Sequence, residues 1–293
     1  MNAFTIKDLE NLSGIKAHTI RIWEQRYNFL KPQRTNTNIR YYSNEELKTI
    51  LNVALLNKYG FKISHLDKMM PADILDKIYL LSQSQAQYDR VINDLVTCMV
   101  DLDIDKLEEI LDDYIIGRGM EKTITQVIFP FLEKIGILWA TSHITPAQEH
   151  LVSNVVRQKL LVGIERSKSV VKLDKSLLLF LPEGEHHELG LLFMYYLLKN
   201  KGVRVWYLGS NVPVKDLDFI IKAKKPDAVY AHLTSVANNF NFEKFLNRLH
   251  QIAPATPFVV SGILTQTYKK PVPVNVHFKT SLQDAIEYTL SLS

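Results

Sequence analysis

Strand-length apolar runs alternate with amphipathic helices throughout the last third of the chain, and this alternation limits the possible folds more than any other feature. The predicted strands are 177–181, 203–208, 227–233, 257–260 and 275–278, and the predicted helices are 188–199, 214–223 and 242–252. Strands joined by crossover helices through short loops pair in parallel. The sequence therefore predicts a doubly wound, Rossmann-like α/β sheet, whose ligands bind beyond the carboxyl ends of its strands.

The loop after the first of these strands contains the run Glu185-His186-His187-Glu188-Leu189-Gly190. This run resembles the signature of the cobalamin-binding fold, usually Asp-x-His-x-x-Gly, in which the histidine binds cobalt from below after the cofactor's own base swings aside. The resemblance implies that His187 is the cobalt ligand and that Glu185 fixes its tautomer and raises its basicity. Gly190 would let the next helix approach the corrin ring closely.

Two other interpretations of the histidine loop remain open. Adjacent histidines can bind zinc, but a closed zinc site needs more nitrogen or sulfur ligands at suitable spacing, and Cys98 is distant in sequence. The loop could also be purely structural.

The N-terminal segment predicts a helix pair followed by a two-stranded wing. Thr5 is the expected N-cap of a first helix, and Gly14 separates this helix from a second one over 16–27. A polar turn between short extended stretches follows, and Ser43 with Glu46 forms a capping box for another helix. This order predicts a winged helix-turn-helix.

Positive charge is concentrated in the same segment. Residues 1–42 hold seven cations and three anions, so their surplus of four equals the net charge of +4 of the whole chain. A local basic patch is typical of nucleic-acid binding, because DNA is a polyanion. The second helix would then enter the major groove while the wing contacts the backbone or the minor groove.

The segment resembles the MerR family of transcriptional regulators. The matching residues are Thr19-Ile20-Arg21-Ile22-Trp23-Glu24-Gln25-Arg26-Tyr27, Lys31-Pro32, Arg34 and Arg40-Tyr41-Tyr42-Ser43. The resemblance implies binding of double-stranded operator DNA through Lys16, His18, Thr19, Arg21, Arg26, Arg34, Arg40 and Tyr41. Trp23 and Tyr42 are predicted to be core residues. A helical protein-binding domain of the same shape is the alternative.

The middle of the chain predicts a four-helix bundle over about 88–167, because apolar residues recur there at helical spacing. Its last helix begins at Thr145-Pro146 and carries Glu149-His150 in its first turn. Trp139 followed after nine residues by Glu149-His150 is similar to the helical module that covers cobalamin in light-sensing, B12-dependent MerR-type regulators. The resemblance implies that Trp139 lies over the corrin ring and that Glu149 and His150 hold the group bound to cobalt.

Three positions depart from the family pattern. The photoreceptor subgroup has a histidine directly after the tryptophan, whereas this chain has Ala140 there and His143 farther on. Near the nucleotide tail the family has Ser-x-Leu/Thr and Gly-Gly, which correspond here to His232-Leu233-Thr234 and Ser261-Gly262. Thr234 and Gly262 remain expected cofactor contacts, and His232 is expected to crowd the tail pocket or bind the tail differently.

Composition places the chain among cytoplasmic proteins. Hydrophobic residues make up 46% and charged residues 23%, and no stretch approaches the roughly 20 apolar residues that a membrane span needs. The start of the sequence lacks the pattern of a secretory signal, and a single cysteine, Cys98, rules out an internal disulfide.

Together these features predict three domains: a winged helix-turn-helix at 1–75, a cobalamin-capping bundle at 76–170 and a cobalamin-binding sheet at 171–293. The predicted function is a repressor whose oligomerisation or DNA affinity depends on adenosylcobalamin or methylcobalamin. No long dimerisation helix follows the DNA-binding segment, because Pro71 interrupts it, so the C-terminal part is expected to form the homo-oligomer, a dimer or a tetramer.

The sequence also allows two alternative functions. A regulator that no longer uses cobalamin would respond to a protein partner or to another ligand. An enzyme, such as a corrinoid methyltransferase subunit, would share the bundle and the sheet. A methyl carrier has no need of a DNA-binding domain, so the sequence predicts that the chain is not an enzyme.

Overall fold

The computed structural model describes residues 3–140, 144–169, 171–235 and 240–291. The chain forms two compact units, Met1–Val156 and Arg157–Ser293, and the boundary between them falls within one helix. Within the described residues, no helix has both the length and the apolar character needed to cross a lipid bilayer.

The first unit begins with a winged helix-turn-helix. Its elements are α1 (Ile6–Ser13), α2 (Ala17–Arg26), β1 (Gln33–Arg34), β2 (Arg40–Tyr41), α3 (Asn44–Lys58), α4 (Ile63–Leu66) and α5 (Pro71–Tyr79). Thr5 is the N-cap of α1, as predicted, and forms a capping box with Asp8, while Ser43 and Glu46 form the predicted capping box of α3. Trp23 and Tyr42 are buried, which confirms their prediction as core residues.

The predicted bundle follows, and its last helix contains the boundary between the two units. Its elements are α6 (Ser84–Asp101), α7 (Ile104–Arg118), α8 (Met120–Thr123), a π-helical segment (Ile124–Ile128), α9 (Phe129–Ala140) and α10 (Pro146–Arg166). The segments from α8 to α9 follow one another without a break, so the bundle has four main helical stretches. Pro130 lies just after the π-helical segment and has no N–H to donate to the preceding turn, a situation in which regular α-helical hydrogen bonding is interrupted.

The winged helix packs directly on the bundle, with α3 against α6 and α1 against α9. A partly buried chain of hydrogen bonds crosses this junction: Lys134 Nζ donates to Asn93 Oδ1 (3.1 Å), and Asn93 Nδ2 donates to the Leu51 carbonyl (3.3 Å). The three residues come from α9, α6 and α3. Burial lowers the pKa of Lys134 to about 8, because water no longer solvates the ammonium charge. The helix that carries Trp139 is therefore hydrogen-bonded, through Asn93, to α3 of the winged helix-turn-helix.

The second unit is a five-stranded parallel sheet in the order β4-β3-β5-β6-β7. The strands are β3 (Ser176–Pro182), β4 (Arg204–Val212), β5 (Ala228–Leu233), β6 (Phe258–Gly262) and β7 (Val276–Lys279). The helices are α11 (Leu189–Asn200), α12 (Val214–Lys224), α13 (Phe242–Ile252), α14 (Ile263–Thr267) and α15 (Leu282–Ser291). The predicted fold class is confirmed.

Helices cover both faces of this sheet. On one face, α12 and α13 pack on a core to which alternate residues of β5 contribute, among them Val229, Ala231 and Leu233. On the other face, α11 and α15 contact each other and the strands. The strand order changes direction between β3 and β5, because the chain goes from β3 to one edge and from β5 to the other. Such a switch point is where doubly wound sheets bind ligands.

One strand extends beyond its predicted end. The sequence predicts a strand over 203–208, whereas β4 continues to Val212. Gly209 and Asn211 have positive φ angles of 79° and 58°, and the pairing with β3 shifts register there. A glycine after an apolar run predicts the end of a strand. Gly209 instead lies at an irregularity inside β4, and the strand continues beyond it.

The buried ammonium of Lys134 gives a test of the junction. Below pH 8 the lysine is charged in the folded and the unfolded chain, so its burial cost is fully present. Between pH 8 and about 10.4 the folded chain has lost a proton that the unfolded chain still holds, so stability rises with pH. Lys134→Met removes this cost but leaves Asn93 Oδ1 without its donor at every pH. The free energy of unfolding of Lys134→Met, minus that of wild type, is therefore expected to be about 1–3 kcal/mol higher at pH 7 than at pH 10.

Urea denaturation followed by circular dichroism at pH 7 and pH 10 measures both values. Lys106→Met is the matched control, because Lys106 lies exposed on the bundle and pairs with Glu109, so no pH-dependent gain is expected. If Lys134→Met differed from wild type by the same free energy of unfolding at both pH values, the burial cost given to Lys134 would be contradicted.

Candidate functional site

The outer face of α2 is cationic, while its inner face is anchored in the core. Ile20 and Trp23 are buried, whereas Lys16, His18, Arg21 and Arg26 are exposed, and Thr19 is half-buried between them. Lys16, at the N-cap of α2, also pairs with Glu10 (3.3 Å). This places five predicted DNA contacts on or beside one short helix.

The remaining predicted DNA contacts lie in the wing. Arg34 is exposed in β1, and its Nη1 donates to Asn38 Oδ1 (2.7 Å) across the turn, where Asn38 has a positive φ of 64°. Tyr41 in β2 donates to Gln33 Oε1 (2.5 Å). These local contacts fix the shape of the wing.

Arg40 has a partner inside the protein that sequence reasoning missed. Its Nε lies 3.1 Å from Glu24 Oε2, and Tyr42 donates its hydroxyl to Glu24 Oε1. The Glu24 side chain is only 8% exposed. Burial and the Glu24 carboxylate raise the pKa of Tyr42 well above its usual value, so the phenol stays protonated and donates. Glu24 on α2 therefore holds β2 of the wing in place, and Arg40 positions the wing whether or not it also contacts DNA.

In the second unit, a buried carboxylate organises the loop after β3. Glu185 is fully buried and accepts four hydrogen bonds: from the His187 backbone N (2.9 Å) and Nδ1 (2.7 Å), and from the Thr234 N (2.9 Å) and Ser235 N (2.7 Å). Burial opposes its charge, but the bonds from His187 and Ser235 outweigh burial and hold the pKa of Glu185 below its usual value. The carboxylate joins the loops after β3 and β5.

The His187 ring is held by Glu185, while more than half of the side chain is exposed. Its Nδ1 is 2.7 Å from Glu185 Oε1, while 58% of the side chain is exposed. A metal would have to bind the other ring nitrogen, Nε2. A carboxylate on one nitrogen and a metal on the other is the common arrangement of metal-binding histidines, because the carboxylate fixes the tautomer and the ring orientation. The predicted pairing of Glu185 with His187 is present in the structure.

A second layer of polar contacts lies beside this loop. Glu188 accepts from Arg157 Nε (2.5 Å) and from the Tyr207 hydroxyl (2.8 Å). Burial and Glu188 raise the pKa of Tyr207 far above its usual value. Arg157 and Tyr207 are distant from the histidine loop in sequence, so spacing alone could not have identified them.

Gly190 and Gly262, both predicted cofactor contacts, lie where a side chain could not fit. A Cβ on Gly190 would lie 2.7 Å from His232 Cδ2, and a Cβ on Gly262 would lie 2.1 Å from the Leu233 carbonyl oxygen. Gly262 also has a φ of 104°. The packing around both positions therefore requires glycine, whether or not a cofactor binds nearby. Thr234 is exposed, and its backbone N–H binds Glu185.

In the first unit, the predicted capping residues lie at the end of α9 and in the first turn of α10. Trp139 is 58% exposed, an unusual position for a large aromatic side chain. Glu149 Oε2 lies 2.7 Å from His150 Nδ1, and both residues follow the predicted helix start, where Thr145 and Gln148 bond reciprocally. Ala140 ends α9, and His143 lies outside the described residues.

A zinc-type site is not found in the part of the chain that the structure describes. No group of three or more histidine, cysteine, aspartate or glutamate side chains is arranged to hold a metal ion there. A single oriented imidazole suits a metal that brings its own equatorial ligands, as cobalt in a corrin ring does.

Three family models match the chain. Residues 4–73 match the MerR HTH family of regulatory proteins, and residues 91–162 and 176–272 match two B12 binding domain families. The matches fall on the winged helix, the bundle and the parallel sheet, respectively.

Two characterised relatives match nearly the whole chain. The HTH-type transcriptional repressor CarH of Myxococcus xanthus is 28% identical over 274 residues, which cover 91% of this chain and 91% of CarH. The HTH-type transcriptional repressor CarA of the same organism is 27% identical over 269 residues, covering 91% of this chain and 89% of CarA.

A solved structure supports the fold over most of the chain. The monomethylamine corrinoid protein of Methanosarcina barkeri aligns with a TM-score of 0.52 at 12% identity, covering 70% of this chain and 99% of that protein. At this identity the likeness concerns the fold alone.

The four bonds to Glu185 predict a local effect of its removal. Glu185→Ala leaves the Thr234 and Ser235 amides without their acceptor and is expected to destabilise the second unit by about 2–4 kcal/mol. Hydrogen exchange read by mass spectrometry should show loss of protection at both amides. Glu183→Ala is the matched control, because Glu183 is exposed in the same loop. Unchanged protection in Glu185→Ala would contradict the role given to the carboxylate.

The Glu24 contacts predict an effect on DNA binding through the wing. Glu24→Gln removes the charge that holds Arg40 and Tyr42, and it is expected to weaken binding of a selected operator duplex about tenfold, equivalent to about 1.4 kcal/mol. Fluorescence anisotropy measures the affinity. Glu45→Gln serves as the comparison, because Glu45 is exposed at the start of α3 and pairs with Lys48. Wild-type affinity in Glu24→Gln would show that the wing does not depend on this anchor.

Proposed function

We propose that this chain, a homologue of the CarH and CarA repressors with a MerR domain and two B12-binding domains, is a transcriptional repressor whose DNA binding is controlled by a corrinoid. The observation that carries the proposal is the exposed His187 ring, fixed by the buried carboxylate of Glu185 at the ligand-binding edge of the sheet. The same chain carries the cationic face of α2. The proposed ligand site and the proposed DNA-reading surface therefore lie in one chain.

On the DNA side, we propose that residues 1–75 read the operator. The exposed cations of α2 would enter the major groove, and Arg34 in the wing would contact the backbone or the minor groove. Arg40 would act mainly through Glu24, by setting the position of the wing. Thr19 and Tyr41 complete the proposed surface.

On the ligand side, we propose that the bundle, residues 76–170, and the sheet, residues 171–293, both contribute to corrinoid binding. His187 would hold the cobalt through Nε2, with Glu185 as its orienting partner, and Trp139, Glu149 and His150 would contact the corrinoid from the bundle. Gly190, Thr234 and Gly262 would line its approach to the sheet. A bound corrinoid supplies a cobalt centre whose upper ligand can be exchanged, with adenosylcobalamin and methylcobalamin as the proposed forms.

Control of DNA binding needs a difference between two states. A corrinoid shifts the DNA affinity only if it binds one conformation or assembly more tightly than another. We propose that this difference lies in self-association into a dimer or tetramer. Because the protein has to reach DNA, we place its action in the cytoplasm.

A second candidate function follows from the three positions at which the chain departs from the family pattern, Ala140, His232 and Ser261. A repressor that has lost the corrinoid and responds to a protein partner would keep the fold and the DNA-binding face. A role as an enzyme is not proposed, since the characterised relatives are transcriptional repressors.

The proposed cobalt ligand predicts a specific loss. His187→Ala should weaken corrinoid binding at least about tenfold and alter the absorbance of the bound corrinoid, because the lower ligand is removed. Absorbance titrations with adenosylcobalamin, methylcobalamin and cobinamide measure both changes. His186→Ala is the matched control, because the neighbouring ring is exposed and has been given no role.

Absence of binding of all three corrinoids to the wild-type chain would contradict the proposed function and favour the partner-controlled repressor. Equal binding by wild type and His187→Ala, with the same spectrum, would remove His187 as the cobalt ligand.

A further inference from the structure

The N-terminal ends of three adjacent strands, β4, β3 and β5, lie at the edge of the sheet opposite to the His187 loop. Three short segments lead into these strands: 172–175 before β3, 201–204 at the start of β4, and 224–227 before β5. They contain six cations, Lys172, Lys175, Lys201, Arg204, Lys224 and Lys225. Five of these residues are exposed, and Lys175 is half-buried. We call the six residues the basic edge.

Backbone hydrogen bonds bring the first two segments together. The Arg204 N–H donates to the Lys175 carbonyl (2.9 Å), and the Leu173 N–H donates to the Gly202 carbonyl (3.0 Å). A Cβ on Gly202, whose φ is 82°, would lie 1.9 Å from the Val171 carbonyl oxygen, so the turn after α11 packs directly on this backbone. Cations that are distant in sequence therefore lie on neighbouring segments at this edge.

The third segment is joined to the same place through Asp227. Its N–H donates to the Ser176 carbonyl (2.9 Å), and its carboxylate accepts from the Ser176 N (2.7 Å) and Oγ (2.8 Å). The Asp227 carboxylate thus binds the start of β3 rather than a lysine of its own segment. Lys224 and Lys225 lie just before it, at the end of α12.

The basic edge keeps an excess of positive charge. Its three segments hold six cations and two carboxylates, those of Asp174 and Asp227. Within the residues that the structure describes, no carboxylate forms an ion pair with any of the six cations. Lysines elsewhere in the unit do pair, such as Lys222 with Asp218 (2.7 Å). The charge of the basic edge is therefore available to a polyanion.

Helix dipoles explain only part of this arrangement. Lys224 lies in the last turn of α12 and Lys201 at the C-cap of α11, where the negative end of the helix dipole stabilises a cation. Lys172, Lys175 and Arg204 lie outside helices. Like charges on one surface repel one another and lower the stability of a domain, so the folding of this unit gives no reason for their clustering.

Lysines along the ends of strands suit the phosphates of a nucleic acid. Five of the six cations are lysines, whose ammonium groups are flexible point charges that bind phosphate without a fixed orientation. Three adjacent strands span about 10 Å, and duplex DNA carries about six charges over that length. The basic edge therefore matches the charge density of a duplex. Contacts of this kind position DNA and carry no sequence information.

We infer that the basic edge is a second, sequence-independent DNA contact, which binds backbone phosphates flanking the operator bases read by the first unit. The inference goes beyond the proposed function but rests on its operator binding. DNA is favoured over a membrane surface or an acidic protein, because this chain already holds a duplex through α2 and the wing. A weak second contact with the same duplex then acts at a high effective concentration.

DNA on the basic edge leaves the proposed corrinoid site open. The His187 loop follows the end of β3, whereas the basic edge lies at its start. Since β3 has seven residues, each rising about 3.3 Å, the two places are about 20 Å apart. A corrinoid and a duplex therefore do not compete for the same surface of the second unit.

The first test measures how strongly DNA binding depends on salt. Lys172→Gln, Lys201→Gln and Lys224→Gln, combined in the full chain and here called the Gln triple, remove three charges from the basic edge. Fluorescence anisotropy with a selected operator duplex at about 50–200 mM KCl gives the slope of log K against log [KCl]. The slope should become shallower by about 2–3, because each lost phosphate contact removes about 0.9. Affinity at about 100 mM KCl should fall at least about tenfold, equally for operator and unrelated duplexes.

Two control variants separate a local contact from a general loss of charge. Lys215→Gln, Lys244→Gln and Lys269→Gln together remove three charges from exposed positions outside the basic edge. Lys215 and Lys244 lie in the first turns of α12 and α13, at the opposite edge of the sheet. This variant should keep the slope within about half a unit of the wild-type value. Arginine in place of the three lysines of the Gln triple keeps the charge and should keep the wild-type slope.

The second test changes the length of the DNA. An operator duplex extended by about 20 base pairs of unrelated sequence on each side supplies flanking phosphates that the minimal operator lacks. Wild type should bind the longer duplex at least about fivefold more tightly than the minimal one. The Gln triple should lose most of this gain, because its first unit still reads the operator but its basic edge no longer holds the flanks.

Two outcomes overturn the inference and leave the proposed function intact. One is sequence-specific operator binding with the same slope in wild type and the Gln triple. The other is a Gln triple that keeps the wild-type slope on DNA but loses binding to vesicles containing phosphatidylserine, which would assign the basic edge to a membrane surface. If wild type prefers no operator sequence and binds no DNA, the inference and the proposed function both fail.

Discussion

The site in the second unit depends on one buried carboxylate. Glu185 has no contact with water, yet it keeps its charge because backbone amides after two strands and the His187 ring all donate to it. An unpaired buried charge would cost several kcal/mol, so the loops after β3 and β5 are held together as long as the carboxylate is ionised. The same interaction sets the orientation of His187. A residue whose first role is to order two loops thereby also prepares the proposed metal ligand, and the two roles cannot be separated by substitution of Glu185 alone.

Within the first unit, the DNA-binding domain is continuous with the bundle. The helix that carries Trp139 packs on α1, and its Lys134 reaches α3 through Asn93. A ligand-dependent movement of α9 would therefore be transmitted to the winged helix through the packing of α9 on α1. In the wing, Glu24 gives the second helix and β2 a shared anchor. These contacts supply a physical route by which the state of the bundle could bias the DNA-reading face, and the direction of that bias depends on which state the corrinoid prefers.

Much of the secondary structure and of the core could be predicted from the sequence, because it depends on residues that are close together in the chain. Capping at Thr5 and Ser43, the buried Trp23 and Tyr42, and the alternation of strands and helices are encoded by neighbouring residues, and the structure contains them all. The pairing of Glu185 with His187, two positions apart in one loop, was also predictable, because their loop resembles the cobalamin-binding signature. The contacts of Glu24 with Arg40, of Glu188 with Arg157 and Tyr207, and of His232 with Ser261 join positions that only the fold brings together. Spacing indicated that His232 was unusual, but only the register of β5 with β6 shows how it is held.

The central claim is that corrinoid binding and DNA binding are coupled in this chain, and reciprocity tests it most directly. The affinity for a selected operator duplex would be measured by fluorescence anisotropy with and without saturating corrinoid, and the affinity for the corrinoid with and without saturating operator. The account predicts that both change by the same factor, of about 5-fold to 150-fold, as expected for a coupling free energy of about 1–3 kcal/mol. Equal operator affinity in the two conditions, with the corrinoid shown to be bound, would contradict it.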